Sequence, residues 1–290
     1  MLGSFMQRTV GVIAMSVLLC TASTALADDD DDLQWSPRFS RFSYTQYGAS
    51  AALLGGLLAT DVWLEPRNEP GWRGDNAIDY HASMILTAGT TGGRATAGEI
   101  SDYLAFGLLA YPFAVDTALV AALGHGNYDV AFQMAMIGTQ AVMAAKLISG
   151  MTKMFVGRQR PDSAECLSRD QAGCGTHNES FVSGHATSAF VGAGLICAQH
   201  QNLALYGDGP WGAITCGASL IAATAAGTLR VVADRHNLTD VMGGALVGLG
   251  TGYLLPNLLN YNFGADREGR GQIAPFADDS TVGLAYSQTF

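Results

Sequence analysis

Six long apolar stretches limit what this chain can become: Gly48 to Leu64, Tyr103 to Leu123, Val130 to Ile148, Ala186 to Tyr206, Trp211 to Leu229 and Val241 to Leu259. They are rich in Ala, Gly, Leu and Met. They alternate too little for half-buried strands and run too long for buried ones, so each predicts a helix. A shorter helix is expected within Ala77 to Thr87. Gly71-Trp72-Arg73-Gly74 and Gly207-Asp208-Gly209-Pro210 carry turn chemistry, and the second makes its flanking helices antiparallel neighbours. The expected fold class is all-α, a bundle of about six main helices.

The chain is 49% apolar and 14% charged, which excludes extended disorder. Its formal net charge of -10 argues against a nucleic-acid partner. Residues Met1 to Ala27 carry Arg8, an apolar run from Val10 to Leu19 and Ala25-Leu26-Ala27, followed by the acidic run Asp28 to Asp32. That is the order of a secretory signal peptide, and it predicts export to the periplasm. The remainder, about 260 residues, is enough for one sizeable domain.

The expected organisation is a signal peptide over 1–27, an acidic and aromatic lead over 28–47, a helical domain over 48–265 and a tail over 266–290. The lead holds Trp35, Phe39, Phe42, Tyr44 and Tyr47, which are expected to pack onto the helical domain. In the tail, Val282, Leu284 and Tyr286 alternate after Asp278-Asp279-Ser280, predicting a short strand that forms a hairpin with Gln272 to Phe276. In an oxidising compartment Cys166 and Cys174 are expected to close a polar loop. Cys197 and Cys216, each in an apolar segment, either bridge neighbouring helices or pack as small apolar residues. No CxxC spacing argues for structural zinc.

Polar residues converge at three places, each at the end or start of a predicted helix: Lys153 to Pro161, Ser183-Gly184-His185, and Arg230 to Asp240. Cations gathered with imidazoles suit an anion better than a metal. Phosphate is the obvious guest, with Arg160 and Arg230 as planar forks and Lys153 as a mobile point charge. Ser183 and the amides from Gly184 onward, at a helix start, supply donors and a positive dipole end. His236 is the expected nucleophile, with Asp240 one helical turn on as its orienter. His185 is expected to protonate the departing oxygen and then to activate water.

Lys-x6-Arg-Pro, then Ser-Gly-His, then Arg-x5-His-x3-Asp, in that order, resembles the three-part signature of the type 2 phosphatidic acid phosphatase and vanadium-dependent haloperoxidase superfamily. The resemblance covers Tyr103 to about Leu259 and suggests an exported bacterial member with that superfamily's helical bundle. It implies a phosphohistidine mechanism without a metal or other cofactor. Lys153, Arg160 and Arg230 would hold the phosphate, Ser183 and Gly184 would donate to it, His185 would act as acid and base, and His236 as nucleophile oriented by Asp240. Vanadate would act as a phosphate-mimicking inhibitor, or as the cofactor if the chain is a haloperoxidase. Val182 stands where the family usually has proline and Leu229 where it often has serine, which bears on efficiency and substrate choice.

Outside these motifs, Asp234 and Arg235 read as a solvated or locally paired couple, and Arg158 as facing solvent or an acidic neighbour. His81, His125, His177 and His200 read as surface or satisfied histidines, and Met134, Met136 and Met143 as core. Gly209 to Leu229 and Val241 to Ala265 lack Asp, Glu, Lys and Arg over lengths that can span a bilayer. The functional expectation is a phosphoric monoester hydrolase acting on a lipid phosphate, of the phosphatidic acid or prenyl pyrophosphate kind, or on a small phosphomonoester. The alternatives are a vanadate-dependent haloperoxidase and a catalytically weak envelope binding or scaffold protein.

Overall fold

The computed structural model describes residues 33–63, 69–163, 178–207, 209–262, 272–277 and 282–287. The signal peptide read over 1–27 and the Cys166–Cys174 pairing lie outside the described residues. The described helices are α1 (Tyr44–Trp63), α2 (Ala77–Leu86), α3 (Thr91–Tyr111), α4 (Tyr128–Val156), α5 (Gly184–Asn202), α6 (Trp211–Val232), α7 (Leu238–Leu249) and α8 (Leu255–Leu259). α3 continues through Pro112 as a π-helical segment to Gly124, where proline's missing N–H breaks the α-helical ladder. A second π-helical segment, Gly250–Leu254, joins α7 to α8.

Caps explain several boundaries. The side chains of Asn76, Thr90 and Asn127 accept from the amides of Asp79, Gly93 and Val130, so α2, α3 and α4 start there. Gly157 closes α4 in the left-handed conformation, at φ 56 and ψ 42, and turns the chain sharply.

α5 forms the core, buried along nearly its whole length and packed by α3, α4, α6 and α7. Small residues set how closely these helices approach. A Cβ on Gly192 would overlap the Leu108 carbonyl oxygen of α3, and one on Gly252 would overlap the Val191 carbonyl oxygen of α5. Cys197 of α5 and Cys216 of α6 are disulfide-bonded, with Cα atoms 4.5 Å apart, so of the two readings of this pair the bridge holds.

From the aromatic lead, Trp35, Phe39 and Phe42 are buried, and Trp35, Phe39 and Tyr261 meet edge-to-face or tilted, with centroids 5.5 to 5.6 Å apart. Tyr44 does not pack as expected. It opens α1 and is 94% exposed. At the C-terminal end of α5, the buried His200 sits 3.1 Å from Asp116 Oδ1, which also accepts from the Tyr206 hydroxyl at 3.0 Å. His200 is therefore held through Nε2, while its Nδ1 is buried without a hydrogen-bond partner.

Large apolar side chains such as Tyr103, Phe106, Phe155, Ile221 and Leu246 cover the outer faces of the bundle. Four helical segments are long and apolar enough to cross a membrane: Thr91–Gly124, Tyr128–Val156, Trp211–Val232 and Leu238–Leu259. α5, the most buried helix, is not among them. In the tail, β1 (Gln272–Ala277) and β2 (Val282–Ser287) pair antiparallel, with Gln272 opposite Ser287 and Ala277 opposite Val282.

Candidate active site

The C-terminus of α4 and the N-termini of α5 and α7 meet at one end of the bundle, and the three polar motifs meet with them. His236 lies in the short connection between α6 and α7 and is buried. Its Nδ1 is 2.9 Å from the Ser180 carbonyl oxygen. A carbonyl can only accept, so Nδ1 carries the proton and Nε2 keeps its lone pair.

Asp240, the expected orienter, stands beside His236. Its Oδ2 is 3.8 Å from His236 Nδ1, beyond hydrogen-bond reach. Oδ2 instead accepts from the Ser180 hydroxyl at 2.6 Å and the Asn237 amide at 2.9 Å, while Oδ1 accepts from Arg158 at 2.7 Å. Asp240 thus holds the residue that holds His236. Ser180 has no motif of its own, because its carbonyl, not its side chain, makes the contact.

Arg158 does not face solvent. Its side chain is 1% exposed and bonds Asp79 at 2.6 Å, Asp240 at 2.7 Å and Thr239 Oγ1 at 2.7 Å, with its guanidinium 3.9 Å from the centroid of the Trp72 ring. Of the two alternatives for Arg158, the acidic neighbour holds, with two carboxylates rather than one. Asp79 also accepts from the Thr239 amide at 2.8 Å, so α2 is tied to the start of α7 through this buried network.

Ser183 caps α5 by accepting from the Ala186 amide at 3.4 Å, and its own amide donates to the Asp240 carbonyl at 2.9 Å. Gly184 is the next residue. A Cβ there would stand 3.1 Å from Lys153 Nζ, so the ammonium of α4 lies against the glycine that opens α5. Arg160 is pulled below the usual guanidinium range by burial, partly offset by Asp162 and Glu179.

His185, 45% exposed, has Nε2 2.9 Å from Asp102 Oδ1. The same carboxylate oxygen accepts from Arg230 Nη2. Arg230 is fixed further by Ser101 Oγ at 2.7 Å and the Gly98 carbonyl at 2.9 Å. Asp102 and Ser101 are site residues that the sequence motifs do not reveal. They stand on α3 just before the stretch the motifs cover, and the available signal was an acidic residue beside a hydroxyl at the edge of an apolar run.

Both histidines are held neutral far below their ordinary range. His236 falls to about 4, chiefly by burial, with Arg160 and Lys153 adding to the shift and Asp240 opposing it. His185 also falls to about 4, by burial and then Arg230, with Asp102 opposing and Lys153 and Lys146 contributing. Asp234 and Arg235 do not form the expected local couple: Asp234 bonds Arg94 and Arg235 bonds Asp162, each at 3.2 Å and each far away in sequence.

Cations at a helix N-terminus with two neutral imidazoles suit an oxyanion that needs both a nucleophile and a proton carrier. Residues 134–263 match the PAP2 superfamily. That match supports membership of the superfamily. No curated protein and no solved structure matches it. PAP2 proteins are generally phosphatases, which supports a hydrolase of phosphate esters. The PAP2 match contains Lys153, Arg160, Ser183, Gly184, His185, Arg230, His236 and Asp240, and it stops short of Ser101 and Asp102.

Proposed function

We propose that this protein is a metal-independent phosphatase that hydrolyses phosphomonoesters through a phosphohistidine on His236. The observation that carries the reading is the 2.9 Å contact from His236 Nδ1 to the Ser180 carbonyl, which leaves Nε2 as the free nucleophile. Nε2 attacks phosphorus and the P–O ester bond breaks. The departing oxygen takes its proton from the His185 imidazolium, which Asp102 stabilises. In the second step neutral His185 takes a proton from water as the water oxygen attacks phosphorus. The P–N bond breaks, and inorganic phosphate and neutral His236 result.

Lys153, Arg160 and Arg230, with the donors at the start of α5, take up the charge on the phosphoryl oxygens, the work a metal does in other phosphatases. A lipid phosphate is the favoured substrate, because exposed Tyr103 and Phe106 flank Asp102 on α3 and exposed Phe155 stands close to Lys153 on α4. The Cys197–Cys216 disulfide supports an oxidising, exported location, and the four apolar segments support membrane association.

The test is phosphate release from a chromogenic phosphomonoester and from phosphatidic acid in EDTA, beside His236→Ala. Turnover that survives EDTA and vanishes in the variant is expected. Bromide oxidation with added vanadate and no phosphate release would replace the reading with a haloperoxidase, and binding without turnover would replace it with a scaffold.

A further inference from the structure

The two ends of the bundle hold different parts of the chain. The candidate site occupies the end where α4 stops and α5 and α7 start. At the far end, Asn127 Nδ2 donates to the Leu33 carbonyl at 2.6 Å, and His125 Nε2 lies 3.1 Å from the Leu205 carbonyl. The Ser40 amide donates to the Asn260 carbonyl at 2.8 Å, and Asn260 Nδ2 donates back to the Ser40 carbonyl at 3.1 Å. The lead, the connection into α4, the α5–α6 connection and the end of α8 are thus fastened together, away from the site. α4 joins the two ends over 29 residues, about 44 Å at the helical rise and longer than the ~30 Å hydrocarbon core of a bilayer. A bilayer crossed by the four apolar segments therefore separates the far end from the site.

Three independent observations say which end is outside. Residues 1–27 read as an export signal, which delivers the lead that follows it to the exported side. The Cys197–Cys216 disulfide lies within two helical turns of where α5 stops at Asn202 and α6 starts at Trp211, and disulfides form on the oxidising side of a membrane. The third is charge, since the cytoplasmic ends of membrane helices carry the excess of Lys and Arg. The far-end connections 125–127 and 203–210 have neither residue, and the lead and tail have Arg38, Arg41, Arg267 and Arg270. At the catalytic end Arg73, Arg158 and Arg235 join Lys153, Arg160 and Arg230.

We infer that the bundle lies in a bilayer with its lead, its disulfide and the end of α8 on the exported side and its catalytic end on the cytoplasmic side. The phosphate esters it meets are then those of the cytoplasmic face, although the chain begins with an export signal. The cations of the site serve twice, holding an anion and keeping their end of the bundle inside. Only the consequence for substrate access rests on the phosphatase reading, and the orientation does not.

Thiol labelling of the full chain in cells tests the orientation without turnover. With Cys20, Cys166 and Cys174 replaced by Ser, Gln34→Cys marks the far end and Ala77→Cys, at the start of α2, marks the catalytic end; both positions are exposed. Gln34→Cys is expected to react with a membrane-impermeant maleimide in intact spheroplasts, and Ala77→Cys only after permeabilisation. Any other pattern, including equal labelling of both in intact spheroplasts, overturns the orientation. In the unaltered chain Cys166 and Cys174, which fall between Ser163 and Asn178 in the sequence, are on this account reduced. Iodoacetamide added before lysis is expected to alkylate both, and a Cys166–Cys174 bridge would count against the orientation.

A second arm uses turnover. Para-nitrophenyl phosphate, a charged ester that stays on the side where it is added, is expected to be hydrolysed by inverted membrane vesicles and spared by intact spheroplasts, with His236→Ala as the background. Hydrolysis by intact spheroplasts that His236→Ala loses overturns the orientation. No hydrolysis by either preparation, beside the expected labelling, rejects the phosphatase reading and leaves the orientation standing.

Discussion

His236 Nδ1 donates to the Ser180 carbonyl oxygen at 2.9 Å, and Asp240, 3.8 Å from that Nδ1, holds the Ser180 hydroxyl at 2.6 Å. The tautomer of the nucleophile is thus set by the main chain, and the carboxylate sets the position of the main chain.

That relay predicts an effect for a residue with no chemical step of its own. Ser180→Ala removes the 2.6 Å hydroxyl bond to Asp240 and frees the 178–182 stretch to shift. It is expected to lower kcat by ~10- to 100-fold with KM held within about threefold, because a bond to a buried charged group is lost and no phosphate contact is. Steady-state kinetics on one phosphomonoester checks it, and an unchanged kcat would show that Asp240 acts otherwise.

The pH dependence is set by the two histidines. His236 must be neutral to attack and His185 protonated to give up its proton, and each lies at about 4 in the free protein. Below that pH His236 gains a proton, and above it His185 loses one, so kcat/KM is expected to peak on the acid side of neutrality and fall as pH rises. A bound phosphate dianion favours the His185 imidazolium, so the alkaline limb of kcat is expected at higher pH than that of kcat/KM. Asp102 raises His185, so Asp102→Asn is expected to move the alkaline limb of kcat/KM to lower pH. A peak in kcat/KM above pH 7 would contradict the assignment.

Arg158 is the stability hub of the same end. Arg158→Met leaves the carboxylates of Asp79 and Asp240 buried without their shared cation and is expected to cost about 3–5 kcal/mol, read as a lowered unfolding midpoint in detergent. Arg41→Met serves as the contrast. Its pair with Asp129 is more than half exposed on both sides, so a change within about 1 kcal/mol is expected. Equal losses in the two variants would contradict the burial argument.

The helices were legible because long apolar runs of Ala, Gly and Leu leave a chain few other ways to satisfy its backbone. The motif residues were legible because their spacing matches chemistry. What the sequence hid were contacts made by position alone. Asp102 meets His185 and Arg230 only once α3 packs on α5 and α6, a separation no local pattern records. Ser180 acts through a carbonyl, which every residue has. Arg158 looked like a spare cation beside Arg160, and only the fold shows that the left-handed Gly157 turns it inward between Trp72 and two carboxylates.

The most direct measurement is the covalent intermediate itself. Wild type and His185→Ala would be mixed with substrate, quenched rapidly at alkaline pH, digested and examined by peptide mass spectrometry. A phosphoryl group on His236 is predicted, accumulating in His185→Ala because the water step is slowed, and absent from His236→Ala, which should show no turnover. Steady hydrolysis with His236 replaced, or a phosphoryl group on another residue during turnover, would contradict the account.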